Sequence, residues 1–226
     1  MKSAFICLIW VAEYSVLCCL LTFFKASSDF VTASTVFYWF LLFLHLRKRK
    51  LLSEYGFRLS RLHRARSAGA LLIIPILQCL LYGLPIFSVK ERLVILLATL
   101  AEEVGFRILL PKIMAEYIHC SVKKSIFISS IAFGLFHGVN LLSGAAVPYV
   151  LLQMLYAFFA GLAFCAMVQK TKSVLPSVIL HTLINWTAGS QIVGATIIFP
   201  TLAFSALFAG YAIIIFHNTQ KGSTYL

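Results

Sequence analysis

Eight apolar runs divide this chain of 226 residues, and a water-soluble fold has no place for so many. They cover residues 4–24, Phe30–Leu46, Ala68–Leu84, Glu91–Pro111, Ser125–Asn140, Ala145–Val168, Val174–Gly189 and Ile192–Phe216. A helix that satisfies its own backbone hydrogen bonds across the bilayer core needs about 20 such residues. With 61% hydrophobic and only 12% charged residues, against about 25% charged in soluble domains, the chain is expected to be all-α. The expected form is a polytopic membrane protein, a bundle of about eight transmembrane helices making one membrane domain over residues 1–226. Residues 4–24 are read as a retained helix and not a signal peptide, because the run is long for an h-region and a second span follows at once.

Charge supplies the orientation. The formal net charge of +12 is concentrated in the breaks between apolar runs, above all in RKRKLLSEYGFRLSRLHRARS, residues 47–67, which holds eight Lys or Arg and one acid, Glu54. Basic breaks mark the cytoplasmic side, and a loop of this composition can also rest on anionic lipid. With the N-terminus in the cytoplasm, Lys2, the 47–67 loop, Lys112, Lys123, Lys124, Lys170, Lys172 and Lys221 are all cytoplasmic. Only Lys25, Lys90 and Arg92 fall outside, and both termini are cytoplasmic. The charge does not indicate nucleic acid, since no recognition module accompanies it. Cys7, Cys18, Cys19, Cys79, Cys120 and Cys165 lie in or beside apolar runs without a C-x-x-C pair, which suits buried thiols and not a zinc knuckle.

Three of the apolar runs carry polar groups at depth. The fourth contains Glu102, Glu103 and Arg107 in AEEVGFR. Each such charge at mid-membrane costs roughly 2.5–3.5 kcal/mol on insertion scales, so the three must be paired, solvated in a cavity or functional. Glu103 and Arg107 are spaced i,i+4, about 40° apart around a helix, and can pair; Glu102 points about 100° away from Glu103 and has no local partner. The fifth run places Phe133 and His137 four apart, with Gly134 and Gly138 open to close packing, and the seventh places His181 and Asn185 four apart. Counting 1.5 Å per residue from the nearest cytoplasmic lysine puts Glu102, His137 and His181 at roughly 15, 20 and 13 Å. Similar depths on three helices imply one shared cavity.

Taken singly, each group has a bland role. A membrane histidine usually satisfies a packing or hydrogen-bonding need, Glu103 with Arg107 can be a structural ion pair, and Asn185 can be interhelical glue. Together, a carboxylate, two histidines and an amide supply a base, its partner and donors to a developing oxyanion, which suffices to hydrolyse an amide.

Glu102-Glu103-x-x-x-Arg107, then Phe133-x-x-x-His137, then His181-x-x-x-Asn185, in this order on three hydrophobic helices, closely resembles the CPBP family. That family comprises the type II CAAX prenyl endopeptidases and the bacteriocin-processing or self-immunity proteins also called Abi. The resemblance spans roughly residues 91–190, the motif-bearing core. It implies an eight-helix intramembrane glutamate protease in which Glu102 and His137 activate a water and His181 and Asn185 stabilise the oxyanion. Glu103, Arg107 and Phe133 would support the site. No cofactor and no metal is implied, and the substrate would be a membrane-associated peptide or protein. Eukaryotic members cut a C-terminal tripeptide from prenylated proteins; short members resembling this chain act in the bacterial cell membrane on pheromone or bacteriocin precursors, or confer immunity. Three other readings remain beside this one. One carboxylate and two histidines could make a zinc protease, although the H-E-x-x-H helix is absent. The fold could also sequester a peptide without cutting it, or move protons and solute as a transporter.

Overall fold

The computed structural model describes residues 56–57, 68–188 and 197–218, with isolated helical positions at 16, 34, 37, 38, 40, 41, 43, 44 and 47. Most of the first two expected spans, the 47–67 loop apart from Arg47, Gly56 and Phe57, and the connection at 189–196 lie outside the described residues. Most of those described are helical, and no strand occurs among them.

The helices are α1 (Ile73–Tyr82), α2 (Val89–Glu103), α3 (Leu110–Tyr117), α4 (Val122–Phe136), α5 (Val147–Thr171), α6 (Leu175–Ala188) and α7 (Ile198–Asn218). A π-helical turn, Val104–Leu109, joins α2 to α3, and a 3-10 turn, His137–Leu141, continues α4. Their ends follow from local chemistry. Ser88 caps α2 in a full capping box: its hydroxyl accepts from the Glu91 amide while Glu91 Oε2 accepts from the Ser88 amide at 2.7 Å. Ser121 caps α4 by accepting from the Lys124 amide, and α5 ends where Lys172 turns left-handed and its amide donates to the Val168 carbonyl at 2.7 Å.

One expected boundary needs correction. The span read as Glu91–Pro111 does not stop at its proline but runs on through α3 to Tyr117. Proline inside a helix clashes with the carbonyl four residues back, and the π turn immediately before Pro111 loosens the ladder where that carbonyl lies. The span read as Ser125–Asn140 lies within one continuous helical segment, Val122–Leu141, whose last turn tightens to 3-10 geometry from His137. Of the eight expected spans, the described residues contain three helices long and apolar enough to cross a membrane, Val122–Leu141, Val147–Thr171 and Ile198–His217. The apolar stretch Ala68–Tyr82 is shorter.

Polarity is distributed inside out. Ile86, Phe199, Leu80 and Ile213 are exposed, whereas Glu103, Arg107, Ser125, Ser129, Ser130, Thr171, Ser173 and Ser177 are wholly buried. That pattern suits an apolar solvent around the protein and hydrogen bonding within it. Ser129 donates to the Phe106 carbonyl and Thr187 donates to Gln78 Oε1 at 2.7 Å, tying α4 to the π turn and α6 to α1. Gly56, at φ 79°, passes under the start of α6, where its carbonyl accepts from the Val174 amide at 2.9 Å.

Close approach of α4 and α5 depends on glycine. A Cβ on Gly134 would lie 2.8 Å from the Met154 carbonyl oxygen, while Gly138 has only the Met154 sulfur at 3.9 Å. Gly134→Ala should therefore cost about 1–3 kcal/mol through overpacking. Gly210→Ala, with nothing within 4 Å, is the control. Melting temperatures in detergent compare the two, and equal values would show that α4 and α5 part without penalty.

Candidate active site

α2 and α6 run antiparallel and are joined by three rungs. Near the start of α2 the Trp186 indole donates to the Arg92 carbonyl at 3.3 Å. Next, Asn185 Nδ2 donates to Thr99 Oγ1 at 3.2 Å. At the end of α2, His181 Nδ1 lies 2.9 Å from Glu103 Oε1. Residues far apart in the chain thus meet between two helices.

Glu103 is the hub. Its two oxygens take Arg107 Nη2 at 2.9 Å and Nε at 3.2 Å, and Oε1 also accepts from His181. Both members of the Glu103–Arg107 pair are completely buried. The guanidinium carbon stands 4.0 Å from the Phe133 ring centroid and 5.5 Å from that of Phe164. Stacking between two rings accounts for a cation that keeps Nη1 without a hydrogen bond, because the ring faces offer electrostatic attraction in place of an acceptor. Phe133 also meets both histidines edge to face, with centroids 4.9 Å from His137 and 5.9 Å from His181.

Hydrogen-bond partners settle what each imidazole offers. The Phe133 carbonyl, 2.9 Å from His137 Nδ1, can only accept, so Nδ1 carries the proton and the lone pair is left on Nε2. At His181 the Glu103 carboxylate likewise takes an Nδ1 proton, and Nε2 faces Glu102 Oε2 at 3.8 Å. Glu102 differs from its neighbour in exposure as well as direction: its side chain is 23% exposed, that of Glu103 not at all.

A cavity of about 140 Å³ opens beside these groups, walled by α1, α4, α5, α6 and α7. Phe133, His137, His181 and Asn185 line it, together with Gln78 and Tyr156. Glu102 is not among its walls and reaches the group through His181. Beyond the Glu103–Arg107 pairing expected from the i,i+4 spacing, the carboxylate also holds His181. Two contributors escaped the sequence reading. Thr99, 1% exposed, anchors Asn185, and Gln153 Oε1 accepts from Asn140 at 2.8 Å, fixing the 3-10 turn that begins at His137. Thr99 precedes Glu102 by three residues on one helix face, the signal by which it could have been found.

Both imidazoles have an acceptor at Nδ1, and this is how a zinc-binding histidine is usually oriented. Among the described residues no three of His, Cys, Asp or Glu are grouped as a metal site. Residues 87–187, from just before the α2 cap to the last turn of α6, match the family described as Type II CAAX prenyl endopeptidase Rce1-like. That family is one of membrane-embedded proteases, and this part of the chain is similar to it. No curated protein and no solved structure matches the chain.

Proposed function

We propose that the chain, with its Rce1-like domain at residues 87–187, is an intramembrane endopeptidase of the glutamate type. The observation that carries this reading is the division between two adjacent acids. Glu103 is buried and committed to Arg107 and His181, whereas Glu102 is partly exposed and stands 3.8 Å from His181 Nε2, out of hydrogen-bond reach. A carboxylate so placed can serve as a base.

In this mechanism Glu102 takes a proton from a water while His137 Nε2 accepts the other hydrogen and orders it. The water oxygen attacks the scissile carbonyl carbon. Asn185 Nδ2 donates to the resulting oxyanion, as does Nε2 of His181 when its ring is protonated between Glu102 and Glu103. Collapse breaks the C–N bond, and the proton held by Glu102 passes to the leaving nitrogen. The substrate is a membrane-associated peptide or protein, such as a prenylated C-terminus or a pheromone or bacteriocin precursor. The frame is a bundle of eight helices in a bacterial cell membrane, both termini cytoplasmic, with the 47–67 loop on anionic lipid.

The test uses full-length protein in proteoliposomes and two quenched peptides, one with a farnesylated C-terminal CAAX sequence and one hydrophobic and unprenylated. Cleavage of an internal bond in either, seen by mass spectrometry, supports the reading. Reversible binding of both without cleavage would make the chain a peptide-sequestering immunity protein.

The same assay decides whether a metal is needed. Nδ1 contacts at both histidines suit a zinc site, but a His₂Glu centre requires all three ligands within about 2.0–2.2 Å of one ion. Activity is expected to survive prolonged treatment with EDTA or phenanthroline. Loss on chelation with recovery on added Zn²⁺ would make Glu102 a ligand and end the glutamate mechanism.

A further inference from the structure

We propose that Thr99 is a positioning residue that anchors the Asn185 amide for the reacting carbonyl; this rests on the reading of Asn185 as an oxyanion donor. A primary amide has two nearly isosteric ends with opposite polarity. Turned one way, Asn185 offers Nδ2 to an oxyanion; turned the other, it offers a carbonyl oxygen that repels one. In the structure the amide takes the first orientation: Asn185 Nδ2 gives one of its two protons to Thr99 Oγ1 at 3.2 Å, on a side chain that also lines the cavity. Thr99 is 1% exposed, so water does not compete for that oxygen.

The anchor lies on the helix that also bears the base. Thr99 and Glu102 are three residues apart in α2, about 60° around the axis, and one rigid element thereby sets the general base and, through Asn185, the donor. The competing role is a plain interhelical contact, one rung among the three between α2 and α6. The two roles separate in kinetics, because a contact that only holds helices together lowers the amount of folded protein without changing turnover per folded molecule.

The experiment measures cleavage of the farnesylated CAAX peptide by full-length Thr99→Val, Thr99→Ser and Asn185→Ala proteins, normalised to folded protein. Thr99→Val keeps the shape and removes the acceptor, and should lower kcat roughly tenfold with KM unchanged; Thr99→Ser keeps a hydroxyl and should restore most of the rate. Asn185→Ala should lower kcat about 10²- to 10³-fold, and Thr99→Val added to it should lower kcat no further. If Asn185→Ala is slow but Thr99→Val turns over normally, the Thr99 proposal is overturned and the protease reading stands. If Asn185→Ala itself keeps full kcat, the oxyanion reading fails and the Thr99 proposal with it. A melting-temperature cycle on the same variants needs no substrate: the double variant should melt no lower than the less stable single one, and additive shifts would overturn the contact.

Discussion

Glu102→Gln should yield a folded protein that cleaves about 10²- to 10⁴-fold more slowly, the range a positioned general base contributes. Glutamine keeps the length and shape of the side chain and loses only the capacity to take a proton. Little of the fold depends on the charge, because Glu102 is 23% exposed and meets His181 Nε2 only at 3.8 Å. The melting temperature should therefore match that of the unaltered protein, and the whole effect should fall on kcat. A Glu102→Gln protein with full turnover would remove Glu102 from the chemistry and leave the site without a base.

Local geometry was legible in the sequence, and tertiary geometry was not. The Glu103–Arg107 pair and the shared face of Phe133 and His137 follow from helix periodicity alone, and the structure contains both, the second with a backbone hydrogen bond added. The separation of Glu102 from Glu103 followed from the same 100° step. What escaped depends on how helices cross. His181 meets Glu103 across 78 positions and Asn185 meets Thr99 across 86, and an isolated threonine in an apolar run carries no mark of its partner. The π turn at Val104–Leu109 was hidden for another reason: one residue beyond regular helix leaves no compositional trace, and Pro111 read more simply as an end than as a strained interior position. The cavity was expected as common ground for all the polar groups, yet Glu102 approaches from beside it, a consequence of how α2 packs on α6 that periodicity does not contain.

Glu103→Gln should have the opposite profile from its neighbour, damaging the fold first. Removing one charge of a fully buried pair strands the other, at about 3–5 kcal/mol, which for a chain of this size is a fall of roughly 10 °C in melting temperature. Arg107 cannot relax into water, since it is wholly buried and held between Phe133 and Phe164. Arg107→Met in the same protein should restore most of the lost stability, because replacing both charges of a buried pair is often neutral. Turnover should stay low in that double variant. The glutamine that replaces Glu103 would still accept from His181 Nδ1, but it brings no negative charge to an imidazole that must be protonated to donate through Nε2 to the oxyanion. Stability and catalysis would then separate along one side chain, with the Arg107 contact responsible for the first and the His181 contact for the second. A Glu103→Gln protein as stable as the original would show that Arg107 finds its counter-charge elsewhere. A double variant with normal kcat would show that Glu103 holds His181 in place by hydrogen bonding alone.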